Sequence, residues 1–283
     1  MTAILSVLSV TSMVVQNCIF NGVSKKTLTA SRHIYKYNSF VYALCVILFG
    51  IFLFGESISF YTVGLGLVFG VVTALSNFYR MLALSSGPMH ITLLITTSSM
   101  IIPTMSGVFF GEAFSLPKLA LALVLIGFVF LSTKSTGGGK INKKWILCCL
   151  AAFIFQGSIG VIQKIHQSSV HKAEVNVFLF VAFICSAIYC FIRSGYGAKD
   201  IKFDGKTIAF AVICGICTYT MNFLNLKLSG MLPSQLFFPV INGSAIVLSS
   251  TMSVLLFKEK LSKRQLIGLV GGILTLIGIC IVK

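Results

Sequence analysis

Phe110-Gly111-Glu112-Ala113-Phe114-Ser115 is answered 147 residues later, from 112 to 259, by Phe257-Lys258-Glu259-Lys260-Leu261-Ser262, with Glu and Ser in the same register. Each run closes one apolar stretch and precedes another. Outward from this pair, the apolar stretches fall into two sets of five. The first set is 3–24, 37–54, 60–81, 88–110 and 117–133. The second is 145–164, 174–193, 206–226, 231–256 and 265–282. Most reach about the 20 residues that a helix needs to cross a bilayer's hydrocarbon, where a helix keeps every amide bonded within its own segment. Between the sets, Ser135-Thr136-Gly137-Gly138-Gly139-Lys140 lacks the spacing of a phosphate-binding loop and reads as a flexible linker.

The fold class that follows is an all-α integral membrane protein with ten transmembrane helices. Its domains are a first five-helix repeat over 3–133, a linker over 134–144 and a second five-helix repeat over 145–282. Five is odd, so the two repeats are inverted relative to one another across the membrane.

Composition points the same way. Of 283 residues 57% are hydrophobic and only 10% charged, where a soluble domain needs roughly a quarter charged to cover its surface. The net charge of +16 does not make a nucleic-acid binder, because its Lys and Arg stand in short clusters between apolar spans. All of the basic residues except Lys118, Lys164, Lys172, Lys227 and Lys283 fall on the side of the 1–2, 3–4, 5–6, 7–8 and 9–10 connections. The tendency of basic loops to stay in the cytoplasm then puts those connections inside and both termini outside. Residues 1–12 lack the basic region and small-residue cleavage site of a signal peptide and read as part of the first retained helix.

Nine Cys, among them the Cys214/Cys217 CxxC pair, lie mostly in apolar segments and read as packing residues, not as a disulfide framework or metal site. There is no HExxH, acid cluster or convincing Ser–His–Asp set, so enzyme chemistry is poorly supplied. Neither a cofactor nor a metal is expected. Glu56, Glu112, Glu174 and Glu259 stand at span ends, with no acid read as buried, which argues against a carboxylate-driven proton exchanger.

Charged and amide side chains inside spans are the candidates for function, since they are costly in lipid and usually face protein or water. Arg80 and Lys227, also 147 residues apart, form a pair of cations, one from each half. Around them stand Asn77, Tyr219, Asn222 and Asn225, the last three at helical spacing on the eighth span. Gln16, with Asn17 and Asn21, stripes the first span, and Gln156, with Gln163, the sixth. His90 and the Thr92/Thr96/Ser99 face border the same region from the fourth span, while His166 and His171 read as interfacial. The bland alternative is that each polar group merely bonds a neighbouring helix, a contact worth less than about 1 kcal/mol, and that the two cations snorkel to the interface. Pro103 and Pro239 would free carbonyls within the fourth and ninth spans, as kinks or hinges. Gly64, Gly66 and Gly70, with Gly107/Gly111 and Gly268/Gly272, read as sites of close helix contact.

The chain resembles the EamA family of the drug/metabolite transporter superfamily. The resemblance rests on Gly87-Pro88 through Pro103 to Gly111-Glu112, on Leu232-Pro233 through Pro239 to Lys258-Glu259, and on Gly127 and Gly268 in the helices that follow. It covers nearly all of 3–282. The resemblance implies ten helices in two repeats around a central cavity that opens alternately to either side, moving small metabolites. It also implies cytoplasmic termini, opposite to the charge pattern. Pro117, close after Glu112, departs from the family pattern, and Arg80 and Lys227 are not family-wide residues.

The function expected is secondary transport of a small polar metabolite, anionic or zwitterionic, across the cell (plasma) membrane. The alternatives are a membrane-embedded scaffold or sensor, and, behind it, a membrane enzyme. The partners expected are a small-molecule substrate and membrane lipids but no nucleic acid, with a coupling ion and a homodimer left open.

Overall fold

The computed structural model describes residues 1–26, 30–53, 55–86, 92, 95–96, 98–132, 143–195, 202–257 and 262–282. Among them lie ten α-helices. The first five are α1 (Thr2–Lys26), α2 (Ser31–Ile51), α3 (Phe60–Ser86), α4 (Ile101–Ser106, continued by a 3-10 turn at Gly107–Phe110) and α5 (Leu116–Ser132). The second five are α6 (Lys143–Gln167), α7 (Val175–Arg193), α8 (Gly205–Met231), α9 (Ser234–Phe257) and α10 (Lys263–Ile281). Seven of these, α1–α3, α6–α8 and α10, are long and apolar enough to cross a bilayer, and α4, α5 and α9 supply shorter apolar runs. The chain is therefore a multi-pass, all-α integral membrane protein. Large apolar side chains such as Phe60, Leu147, Ile188, Ile216 and Leu274 stand exposed around it and face lipid.

Helix ends follow local chemistry. Asp204 accepts from the Thr207 amide ahead of α8, and Ser262 with Gln265 forms a capping box ahead of α10. Several boundaries differ from the sequence reading. Helix α2 starts at Ser31 rather than 37, because Arg32 bonds the Ser194 carbonyl at the end of α7 and Lys36 lies over the Phe203 ring. Helix α8 runs to Met231 rather than 226, which takes Lys227 into the helix, and the chain breaks at Leu232-Pro233 before α9. Pro88 and His90, the linker core 133–142 and the Glu259 loop lie outside the described residues.

The halves are packed through each other instead of side by side. Helix α1 lies on α8 and α3 on α6; α2 lies on α7 and α5 on α10; α4 crosses α9. The connections at one end bring together residues 55–59, 111–115, 166–174 and 229–235. The other end gathers Arg32, Lys36, Lys143, Lys144, Arg193, Lys202, Lys206, Lys263 and Arg264. The aromatic core Tyr37, Tyr42, Phe49, Phe69, Phe178 and Phe183 is fully buried where α2, α3 and α7 meet.

Close approach of α3 to α7 depends on two glycines. A Cβ at Gly66 would lie 2.9 Å from the Phe178 carbonyl oxygen, and one at Gly70 2.3 Å from that of Ala182. These small residues four apart let two backbones meet in lipid. At Gly64, by contrast, a Cβ would meet nothing within 4 Å, so this position is not a packing contact. Gly70→Val therefore costs about 1–3 kcal/mol through overpacking against rigid backbone, while Gly64→Ala leaves stability unchanged. Thermal unfolding of the purified variants in detergent measures the contrast.

Candidate functional site

Polar side chains meet in the middle of the bundle, and they meet across the two halves. Gln16 of α1 is buried and its Nε2 donates to Thr218 Oγ1 of α8 at 2.6 Å. On the other side, Ser76 Oγ of α3 donates to Gln156 Oε1 of α6 at 2.8 Å. Each is an amide–hydroxyl bond between a helix of one half and a helix of the other. Sequence reasoning named the glutamines and missed Ser76 and Thr218, whose only signal was a hydroxyl within an otherwise apolar span.

Arg80 lies nearer the basic end. Arg80 as a residue is half-buried, and its Nη2 donates to Asn17 Oδ1 of α1 at 2.8 Å. Asn17 in turn donates through Nδ2 to Ser249 Oγ of α9 at 3.3 Å. The chain Arg80–Asn17–Ser249 thus links α3, α1 and α9. Among the described residues no carboxylate lies within ion-pair distance of Arg80. The guanidinium has five N–H donors in a fixed fork, and its bond to Asn17 leaves most of them without a partner among the described residues.

The other candidates are distributed differently. Lys227 is exposed on α8, its Nζ 4.4 Å from the centre of the Phe223 ring, and its contacts are separate from those of Arg80. Tyr219 stacks on Phe223 and packs on Phe49 of α2. Asn222 is buried and turns back to the Thr218 carbonyl, while Asn225 accepts from Ser9 Oγ of α1 at 2.5 Å. The stripe on α8 therefore divides, the tyrosine toward α2 and Asn225 toward α1. Asn77 donates to the Tyr42 hydroxyl at 2.6 Å, joining α3 to α2. Thr92, Thr96 and Ser99 are buried, with Thr92 accepting from the Trp145 indole at 2.9 Å. His90 and the Asn21 side chain lie outside the described residues.

The end opposite the basic residues holds features that sequence reading took for simple span ends. Glu174 is buried, which corrects the expectation that no acid is. It accepts from the Ser59 amide at 3.2 Å and the Ser59 hydroxyl at 2.6 Å, ahead of α3. Glu56 accepts from the Asn176 and Val177 amides in the first turn of α7, at 3.0 and 3.1 Å. The two carboxylates thus serve each other's helices, negative charge against the positive helix ends. His166 is also fully buried, its ring against Phe178, and not interfacial as expected. Both departures arise because α6, α3 and α7 close tightly over this end, a tertiary effect with no local sequence signal.

The fold defines a multi-span membrane protein. Residues 143–281, the α6–α10 half, match the profile of the EamA-like transporter family, which supports membership of the EamA/drug–metabolite transporter superfamily. No curated protein matches the chain. A solved structure, "Crystal structure of protein", superposes with a TM-score of 0.74 at 15% identity, covering 98% of each chain, and shares the fold. Among the described residues, no three His, Cys, Asp or Glu side chains gather as metal ligands, and Cys214 and Cys217 are buried free thiols.

Burial works against ionisation of Glu174, but hydrogen bonds from Ser59, Thr62 and His171 outweigh it and hold its carboxyl at about 2, below the usual 4.5. A depressed folded-state value stabilises the protein above the unfolded value, and that contribution is lost as pH falls toward the folded one. The melting-temperature gap between wild type and Glu174→Gln should be full above about pH 4.5 and shrink as pH falls toward about 2. Melting in detergent across that pH range checks the sign.

Proposed function

We propose that this chain is a secondary transporter of the plasma membrane, in which two inverted five-helix halves give alternating access to a central site for a small anionic or zwitterionic metabolite. One observation carries the reading: Arg80 is a half-buried cation within the bundle, bonded to Asn17 and with no carboxylate partner among the described residues. A cation kept in such a place is expensive unless something neutralises it. A bound carboxylate or phosphate does so, with bidentate geometry that a guanidinium matches well.

The helix pairing supports the duplicated architecture. Exchanging the first five helices for the last five turns α1 on α8 into α6 on α3, and returns α2 on α7, α5 on α10 and α4 on α9 to themselves. The bonds Gln16–Thr218 and Ser76–Gln156 exchange in the same way. The basic end, on the positive-inside tendency, faces the cytoplasm. A scaffold or sensor has no need of an unneutralised interior cation, and the match of 143–281 to a transporter family favours transport.

Of the two sequence-predicted cations, Arg80 is the one this reading needs. Arg80→Gln stays inserted but loses about 1.5–3 kcal/mol of a charged hydrogen bond, roughly 10- to 150-fold in affinity. Lys227→Gln changes affinity less than about threefold. Uptake by proteoliposomes, screened against pools of anionic, zwitterionic and neutral metabolites, measures both. Equal affinity for wild type and Arg80→Gln would remove the arginine from the site.

A further inference from the structure

Helix α8 ends and α9 begins within three residues, so the Leu232-Pro233 elbow presents two opposite dipole ends side by side. Carbonyl groups left over at the end of α8 carry partial negative charge, and amides at the start of α9 partial positive charge. One ion pair serves both. Lys164 of α6, 7% exposed, pairs with Glu112 and donates to the Ser229 carbonyl at 2.9 Å and the Leu232 carbonyl at 3.5 Å. Glu112, from the α4–α5 connection, accepts from the Ser234 amide at 2.6 Å. Three acceptors account for the three protons of the ammonium, so Lys164 has no donor to offer a ligand. The pair is a fastening, with the acid from the first half and the base and elbow from the second.

Two further observations show that the fastened arrangement is tight and incompletely satisfied. A Cβ at Gly107 would lie 2.3 Å from the Glu112 carboxylate and 2.8 Å from Ser234 Cβ, so the end of α4 presses directly on the elbow. Ser234 Oγ and Gln235 Nε2 are buried there without a partner among the described residues. Beside them an open pocket of about 400 Å³, lined in part by Lys118, Met231 and Gln235, gives the elbow space to move.

We propose that the Glu112–Lys164 pair is a releasable clasp that holds this end of the transport path shut by pinning the first half to the α8–α9 elbow. Its functional meaning rests on the transporter reading. Its physical content does not: release of the pair should free the elbow and the α4–α5 connection together, and leave the basic end in place.

Hydrogen exchange of the full chain in lipid nanodiscs, without substrate, tests this. Glu112→Gln keeps an oxygen for the Ser234 amide but removes the charge; Lys164→Met keeps the length of the side chain without its ammonium. In either variant, amides of 111–116 and 229–236 should exchange about tenfold faster or more, in line with loss of a charged hydrogen bond. Those of 31–36 and 262–266 should keep wild-type rates. Unchanged rates at the elbow, or equal acceleration at both ends, would overturn the clasp. The exchange pattern holds whether or not solute moves, so absence of uptake in wild type would count against the transporter reading alone.

Discussion

Hydrocarbon offers no hydrogen-bond partner, so a polar side chain or helix end inside this bundle must be satisfied by another part of the chain. That constraint accounts for the way the two halves are joined. The central bonds, Gln16 to Thr218 and Ser76 to Gln156, run from one half to the other. Apolar packing cannot make this choice by itself, because side chains facing lipid and side chains facing a neighbouring helix are in nearly equivalent surroundings. Small residues let α3 approach α7, and the amide–hydroxyl bonds select which helices meet across the halves.

The same constraint explains where the acids stand. Each described glutamate occupies a helix beginning that belongs to another connection: Glu56 at α7, Glu174 at α3, Glu112 at α9. A carboxylate there meets amides that the helix itself cannot satisfy, together with the favourable end of its dipole. All three lie at the end away from the basic cluster. They act as ties between non-consecutive connections, so at this end carboxylates supply the charge-assisted bonds, while at the basic end cations supply the contacts, Arg193 over the Tyr35 ring and Arg32 to the Ser194 carbonyl. An end fastened by a few discrete bonds can be released by losing them.

How far this was legible in the sequence follows from the range of each interaction. Span positions are a matter of local composition, and the seven long apolar helices fall where the hydropathy places them. The start of α2 was missed because a distant group helps decide it, Arg32 finding the Ser194 carbonyl, and the end of α8 because the helix runs on through Lys227 to the Leu232-Pro233 break. Helical periodicity put Tyr219, Asn222 and Asn225 on one side of α8, but a side that wide faces two neighbours, so Tyr219 goes to α2 and Asn225 to α1. Arg80 stood out by its charge alone. Ser76, Thr218 and Ser249 did not, because a hydroxyl in an apolar span usually bonds its own helix, as Thr275 does with Gly271.

A bound anion would have a defined role in such a frame. Arg80 already holds Asn17, and through it Ser249, so ordering the guanidinium also orders α1 and α9. An anion on the free donors would neutralise the cation and fix its plane, tightening that three-helix link at the basic side of the bundle. A neutral solute of the same size would leave the guanidinium unmatched, and the cost of a buried, unpaired charge would fall on the complex. On the transporter reading, discrimination would come from what the wrong solute fails to neutralise. A ligand that strengthens the α3–α1–α9 link in one arrangement of the helices and not in the other shifts the balance between them by that difference. On this reading binding and conformational change act through the same few side chains, Arg80 and Asn17 first among them.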